Sequence, residues 1–244
     1  MTKAAIVLGA SGSVGNALID ELLRDGGFSI VTLVRRARAE PDERIREVVV
    51  GDMTPAALEA ATARAASGDV ALSAVGFSVL GIGAGTGKIT IAEHRAVDVE
   101  LNAAFARGLK ASGRATHLAF MSAAGANPTA RETGSGAAGM ARYARVKGES
   151  EEAVKASGLI VGVFRPGMII GSQHTPWLLE KILPVFGFVT PKNYRSISVG
   201  QIARAMIAMA HDPPSESRVY HYPEMAALAR TISSSAAAST APKP

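Results

Sequence analysis

Two side chains one helical turn apart, Tyr143 and Lys147, could carry acid–base chemistry. The apolar spacing over residues 141–156 predicts a helix, and positions i and i+4 share one helix face. A tyrosine hydroxyl, with an ordinary pKa of about 10, donates protons poorly at neutral pH, and a neighbouring ammonium lowers that pKa. Such a pair could protonate a carbonyl oxygen while a hydride reaches the carbon. The same spacing is also common in helices where it is only structural.

Ser122 is a third candidate for this chemistry. It follows residues 116–121, whose composition predicts a strand, so its hydroxyl is expected at the carboxyl edge of the sheet, where ligands of such sheets bind. From there it could donate a hydrogen bond to the same carbonyl oxygen. Its neighbours do not form G-x-S-x-G, which argues against a hydrolase nucleophile. The predicted catalytic residues are therefore Ser122, Tyr143 and Lys147.

Three glycines, Gly9, Gly12 and Gly15, stand between an apolar run over residues 4–8 and a predicted helix over 13–24. In a dinucleotide-binding turn the first glycine permits the tight turn, the second lets the pyrophosphate approach, and the third permits close helix–strand packing. The N–H groups at the helix start then point at the phosphates. An ordinary strand–helix turn is the alternative. The cofactor contacts predicted in this turn are Gly9, Ser11, Gly12, Ser13 and Val14.

The type of dinucleotide is indicated by Arg35 and Arg36, which follow a predicted strand over 28–34. A ribose 2′-hydroxyl would favour Asp or Glu there, whereas a 2′-phosphate favours arginine, which binds phosphate bidentately. This pattern favours NADPH over NADH, with a solvated basic turn as the alternative. After the third strand, Asp52 and Met53 are placed beside the adenine, where Asp52 could accept from the amino group or instead cap the next helix.

A fourth strand is predicted over 70–75, followed by a glycine-rich loop over 76–87. This boundary places Val75 and Gly76 at the cofactor edge. The loop does not complete a P-loop pattern, because isoleucines occupy two of the positions that the pattern requires. We expect it to form a flap at the edge of the site.

Strand-like and helix-like segments alternate along the chain, which predicts an α/β fold, a doubly wound parallel sheet with helices on both faces. The predicted strands are 4–8, 28–34, 45–50, 70–75, 116–121 and 159–164, and the predicted helices are 13–24, one capped by Thr54 that starts at Pro55, 91–111, 141–156, 177–183 and 199–211. We expect a single domain over 1–232, with a small substrate region mainly after 166 and a disordered tail over 233–244.

Composition excludes several classes of function. The 244 residues carry a net charge of +5, but the basic residues are scattered and aromatics make up only 5%, so nucleic-acid binding is not expected. There is no cysteine, and the five histidines lack metal-ligand spacing. No apolar run is long enough for a signal peptide or a membrane span. We expect a cytoplasmic monomer or homodimer whose partner is a small-molecule substrate.

Four separated motifs, GASGSVG, S-x-x-G, YARVK and FRPG, together resemble the short-chain dehydrogenase/reductase superfamily over about residues 3–212. Within it, VTLVRR, YARVKGESEEAV and FRPGMIIG are similar to the atypical branch that includes the Tat-interactive-protein-like oxidoreductases. This resemblance implies a Rossmann fold, NADPH as cofactor and Tyr143 as general acid. It also implies that Lys147 holds the nicotinamide ribose, that Ser122 orients the substrate, and that Pro166 and the segment after it border the nicotinamide.

The resemblance is incomplete at two places. The long interval between Ser122 and Tyr143 leaves open whether Tyr143 is held in place without ligand, and no asparagine is clearly placed for a proton relay, for which Asp98 and Asn102 are candidates. The leading hypothesis is an NADPH-dependent reductase of a small carbonyl or quinone. The alternatives are a non-catalytic NADPH-sensing regulator and a sugar-nucleotide epimerase, for which the region after Pro166 is small.

Overall fold

A seven-stranded parallel sheet forms the centre of the protein. The computed structural model describes residues 3–68, 73–83, 86, 89–132, 137–171 and 191–239. The strands are β1 (Lys3–Leu8), β2 (Phe28–Val34), β3 (Ile45–Val49), β4 (Ala74–Ser78), β5 (Ala115–Met121), β6 (Ile160–Phe164), β7 (Ile169–Ile170), β8 (Ile197–Ser198) and β9 (Arg218–Tyr220). The main sheet has the order β3-β2-β1-β4-β5-β6-β9, and β7 pairs with β8 separately. The predicted α/β fold with a doubly wound parallel sheet is confirmed.

Helices cover both faces of the sheet. They are α1 (Ser13–Asp25), α2 (Pro55–Ala66), α3 (Ile91–Arg95), a π-helical segment (Ala96–Leu101), α4 (Asn102–Ala111), α5 (Ala137–Lys155), α6 (Val199–His211) and α7 (Tyr222–Ser239), with a 3₁₀ turn at Lys192–Tyr194. One core packs α1, α6 and α7 on the sheet, with Leu18 and Met206 at its centre. The other packs α2, α4 and α5, with Leu58 and Phe105 fully buried.

At the carboxyl edge of the sheet, the ends of β1 and β4 lie side by side. β1 is buried on both faces, as its continuous apolar composition predicts, and it pairs with β2 on one side and β4 on the other. Strand order therefore reverses beside β1, and such a switch point is where doubly wound sheets bind ligands. Within the described residues, no helix is long and apolar enough to cross a membrane.

The predicted boundary of the fourth strand was wrong. β4 ends at Ser78 rather than at Val75, so Val75 and Gly76 lie inside the sheet and not at its carboxyl edge. The glycine was interpreted as the start of a loop, but Gly76 is tolerated within β4 because the side chain of Leu109 fills the space that a Cβ would need. Val79, Leu80 and Gly81 take the edge position instead.

Other segments differ from expectation at their ends. The predicted helix over 91–111 is continuous but contains the π-helical segment, and α5 begins at Ala137, before the predicted start at 141. The C-terminal segment from 233 onward is predicted to be disordered, but helix α7 extends through Ser239. Its alanines favour this, since alanine is the strongest helix former. The predicted helix over 199–211 is confirmed as α6, and the one over 177–183 lies outside the described residues.

Candidate functional site

The turn between β1 and α1, called the phosphate cradle after its predicted role, is closely packed against the end of β4. Gly9 has φ +88°, and a Cβ there would lie 2.6 Å from the backbone nitrogen of Leu80. A Cβ on Gly15 would overlap the carbonyl oxygen of Gly9. These two glycines are therefore required by the fold itself, and they bring α1 and the β4 edge close together.

Gly12, in contrast, is not required by internal packing. It is the N-cap of α1 with φ −79°, and the nearest atom to a Cβ there is the Gly9 oxygen at an ordinary 3.6 Å. Open space in front of a helix start, with no side chain filling it, fits the approach of a dinucleotide pyrophosphate. Ser11 is exposed, Ser13 is half-buried and Val14 is buried in the same turn, so the predicted contacts would be made by the main chain.

The two residues predicted to distinguish NADPH from NADH are exposed to solvent. Arg35 and Arg36 follow β2 and are exposed, whereas nearby Arg38 is ion-paired with Glu47, its Nε 3.2 Å from Oε1. Asp52 is also exposed, and Met53 has φ +46°, the left-handed conformation that non-glycine residues seldom adopt.

The cap of α2 is Thr54, as predicted, and not Asp52. The Thr54 hydroxyl accepts a hydrogen bond from the Ala57 N–H at 3.3 Å. We expect Thr54→Ala to lower the free energy of unfolding by about 1 kcal/mol, because it removes the cap. Asp52→Ala is the matched control and should leave stability unchanged. Denaturant unfolding measures both, and equal losses would show that Asp52 shares the capping role.

A π-helical segment directs Asp98 toward α5. In this wider turn the Asp98 carbonyl accepts from Asn102 Nδ2 at 2.8 Å and from the Ser150 hydroxyl, while Asn102 also accepts from the buried Ser78 hydroxyl. Such segments are rare and occur often at functional sites. Of the two relay candidates, Asp98 reaches the Tyr/Lys pair with its side chain, whereas Asn102 supports the backbone around it.

Lys147 is buried, and its ammonium forms an ion pair with Asp98. Nζ lies 2.6 Å from Oδ1, and the other carboxylate oxygen accepts from the Ile82 N–H at 3.0 Å. Burial opposes the ammonium, but Tyr143 and Asp98 outweigh burial and raise the pKa of Lys147. A Cβ on Gly81 would lie 2.9 Å from Nζ. Since Leu80, the preceding residue, abuts Gly9, the phosphate cradle and Lys147 are joined through two residues of the β4 edge.

Tyr143 lies between Lys147 and a buried histidine. Lys147 Nζ is 5.8 Å from the centroid of the Tyr143 ring, and the ring of His94 stacks on Tyr143 with centroids 5.9 Å apart. His94 is 0% exposed, and neither ring nitrogen has a hydrogen-bond partner among the residues that the structure describes. Nε2 is 3.7 Å from Asp98 Oδ2. The structure therefore confirms that Tyr143 and Lys147 share one face, and it adds His94 and Asp98 to them.

Burial lowers the pKa of His94, with Lys147 and Arg142 acting in the same direction and Asp98 opposing them. Burial also lowers the pKa of His117, a histidine outside the site. Below pH 6.5 these two histidines become protonated in the unfolded chain while they stay neutral in the folded protein. We therefore expect the free energy of unfolding to fall as pH drops from 6.5 toward 5. Each histidine contributes up to about 1.4 kcal/mol per pH unit.

The acid loss is measured as the free energy of unfolding at pH 5 and at pH 6.5 to 7. His94→Phe and His117→Gln should each remove part of the difference. An undiminished acid loss in His94→Phe would show that His94 is already charged in the folded protein.

The Ser122 hydroxyl is engaged by a carboxylate on α5. It donates to Glu151 Oε1 at 2.5 Å, and Arg165 binds both oxygens of the same carboxylate at 2.8 and 2.7 Å. Ser122 and Glu151 are both buried. In the described residues the structure thus joins Tyr143 to Lys147 but does not join Ser122 to either, contrary to expectation, because a buried carboxylate engages the hydroxyl.

Two residues of this network were missed by sequence reasoning, and their spacing could have revealed them. Glu151 follows Tyr143 and Lys147 at steps of four, and His94 precedes Asp98 and Asn102 at steps of four. Each set therefore shares one helix face. The spacing of the five histidines bears only on metal binding and does not single out His94. Among the described residues no group of acidic or histidine side chains could hold a metal.

The segment before α5 is held firmly against it in its described part. The Asn127 N–H donates to the Ala144 carbonyl at 2.8 Å, and Gly148 leaves room for Pro128. Glu132 and Glu149 share the guanidinium groups of Arg95 and Arg145 at 2.5–3.1 Å. Helix α5, with Tyr143 on it, is therefore fixed by contacts to both the loop and α3.

The flap after β4 and the turn after β6 border the same edge. The Arg142 guanidinium donates to the carbonyls of Thr86 and Ile89, which holds the described part of the flap against α5. Pro166 is buried, and its carbonyl accepts from the Ala124 N–H at 2.8 Å. Pro166 thus lies beside the end of β5, at the carboxyl edge of the sheet.

This architecture matches a family of known proteins. A family model described as NAD(P)H-binding matches residues 9–213, from the first glycine of the cradle to the end of α6. The chain belongs to this NAD(P)H-binding family. The cofactor class of the family is therefore NAD(P), in agreement with the glycine turn.

Solved structures share the fold of this NAD(P)H-binding protein. The enzyme WbmH of Bordetella bronchiseptica, in complex with NAD+, is 15% identical, with a TM-score of 0.66, covering 100% of this chain and 85% of that one. UDP-glucuronic acid 4-epimerase of Bacillus cereus, in complex with NAD, is 11% identical, with a TM-score of 0.59 and coverage of 89% and 77%. A mutated uronate dehydrogenase is 14% identical, with a TM-score of 0.60 and coverage of 90% and 74%. At these identities the likeness concerns the fold.

Proposed function

We propose that this chain is an NADPH-dependent oxidoreductase that reduces a small carbonyl or quinone, with Tyr143 as the general acid. The observation that carries the proposal is the continuity from Gly9 through Leu80 and Gly81 to the Lys147 ammonium. This continuity supports a single site in which the Lys147 ammonium, one helical turn from Tyr143, lies near the glycine turn. Bound NADPH would supply the hydride.

The chain's own residues divide the remaining work. The main chain from Gly9 to Val14 would hold the pyrophosphate, and Lys147 would hold the nicotinamide ribose and stabilise negative charge on Tyr143. Tyr143 would protonate the substrate oxygen as hydride arrives at carbon. Val79 to Gly81 replace Val75 and Gly76 as the expected contacts from β4, and Pro166 would border the nicotinamide.

The preference for NADPH is tested by titrating NADPH and NADH against the full chain. Arg35→Ala should weaken NADPH binding about 10- to 100-fold, the loss of one charge-assisted contact to the 2′-phosphate, and should leave NADH binding unchanged. Arg44→Ala is the matched control, because the exposed Arg44 is already ion-paired with Asp42 at 2.6 Å. Equal binding of both dinucleotides, unaffected by Arg35→Ala, would overturn this choice of cofactor.

One observation favours a second candidate, an NADPH-sensing regulator without turnover. The Ser122 hydroxyl is engaged by Glu151 and the Lys147 ammonium by Asp98, so two of the three predicted catalytic residues already have partners inside the protein. NADPH oxidation over a panel of ketones, aldehydes and quinones separates the two. Tight NADPH binding with no oxidation of any panel member, and a partner interaction that depends on cofactor, would support the regulator.

A further inference from the structure

The carboxylate of Asp98 lies between two cationic or potentially cationic groups. Lys147 Nζ is 2.6 Å from one oxygen, and His94 Nε2 is 3.7 Å from the other. All three side chains are at least 97% buried. In the free protein the ammonium neutralises the carboxylate, and within the described part of the chain the histidine has no hydrogen bond.

The isolation of His94 calls for an explanation. A buried polar group left without a partner is costly, and such groups are uncommon in native proteins. Counting the described residues, both nitrogens of His94 are in this state, although a carboxylate oxygen lies only 3.7 Å from Nε2. A histidine placed in this way gains its partner if Asp98 loses its present one.

Cofactor binding would remove that partner, since our proposed function, on which this inference rests, has Lys147 hold the nicotinamide ribose. A buried carboxylate left without a cation costs several kcal/mol. We propose that Asp98 is a positioning residue with two alternating partners, Lys147 in the free protein and a protonated His94 when Lys147 engages the cofactor. The proton comes from solvent and ends on the His94 ring.

The surrounding charges agree with this exchange. The charged and titratable groups that face His94 are Asp98 on its own helix and Tyr143, Lys147, Arg142 and Glu149 on α5. Lys147 is one of the cations that lower the pKa of His94, so moving the ammonium away from Asp98 favours protonation. The imidazolium would stack on Tyr143 and keep a positive charge against that ring.

The test measures protons taken up when dinucleotide binds. Calorimetric titration of the full chain with NAD+ and NADP+ at pH 7, in buffers of different ionisation enthalpy, gives the number of protons bound with the cofactor. We expect net uptake of up to one proton in the wild type when NAD+ is the ligand. NADP+ adds the titration of its 2′-phosphate, with a pKa of about 6, equally in every variant.

Three variants assign the proton. His94→Phe keeps the stacked ring and should lose the uptake, and Asp98→Asn should lose it as well. His117→Gln, which alters the other histidine whose pKa burial lowers, should keep it. Affinity for NAD+ should rise up to tenfold per unit as pH falls toward 6 in the wild type, and this slope should flatten in His94→Phe.

Two outcomes would overturn the inference alone. These are dinucleotide binding without proton uptake in the wild type, and equal uptake in the wild type and His94→Phe. Failure of every dinucleotide to bind would instead overturn the proposed function, and this inference with it.

Discussion

Tyr143→Phe is expected to lower kcat about 100- to 10,000-fold on a good carbonyl or quinone substrate, the usual contribution of one general acid. The change removes a single oxygen and keeps the ring that stacks on His94, so the packing around Lys147 and Asp98 is preserved. NADPH affinity should change little, because Lys147 and the main chain of the cradle remain. Steady-state NADPH oxidation and a separate cofactor titration measure the two effects.

Tyr220→Phe is the control for Tyr143→Phe. It removes a hydroxyl from another packed aromatic ring, which stacks on Phe164 in the sheet and makes no hydrogen bond or ring contact with Tyr143 or Lys147 among the described residues. Its turnover should match the wild type. Wild-type turnover in Tyr143→Phe would contradict the general-acid role and would direct attention to another proton donor at the sheet edge.

Glu151→Leu is expected to lower the free energy of unfolding by about 3 kcal/mol. The carboxylate is the common acceptor for the Ser122 hydroxyl on β5 and the Arg165 guanidinium after β6. Its removal leaves the partly buried Arg165 without its anion, which is the costly way to break such a pair. The effect is measured by urea unfolding, with Glu152→Leu, the exposed next residue on α5, as the control.

Ser122→Ala separates the structural role of this serine from a catalytic one. Because Arg165 still satisfies Glu151, we expect a loss of only about 1 kcal/mol in stability and near wild-type turnover. A 100-fold loss of kcat with an intact fold would show that the Ser122 hydroxyl leaves Glu151 during the reaction.

Equal destabilisation by Glu151→Leu and Glu152→Leu would contradict the role assigned to Glu151.

The parts of the fold that depend on local pattern could be predicted from the sequence. The buried run of β1, the glycine turn, the Thr54 cap and the shared face of Tyr143 and Lys147 each involve residues close together in the chain. Their chemistry is decided within one or two turns of backbone. The α/β alternation then leaves few ways to arrange the sheet.

The errors came from residues whose surroundings are distant in sequence. Gly76 remains in β4 because Leu109, 33 residues later, fills the space beside it. Ser122 turns inward because Glu151, 29 residues away, accepts its hydrogen bond. Neither contact can be predicted from neighbouring residues, because each depends on which helix packs over which strand.

The π-helical segment Ala96–Leu101 lets one continuous helix pack against two other helices, α2 and α5. Downstream of it, Gly108 brings α4 against α2, where a Cβ would lie 2.5 Å from the Glu59 carbonyl oxygen. His94, upstream of it, and Asp98, within it, face α5. One surplus residue rotates the two halves by about 100° relative to an unbroken spiral. A mutant shortened by one residue there would gain a more regular backbone and lose the phase relation that aims the acid at the amine.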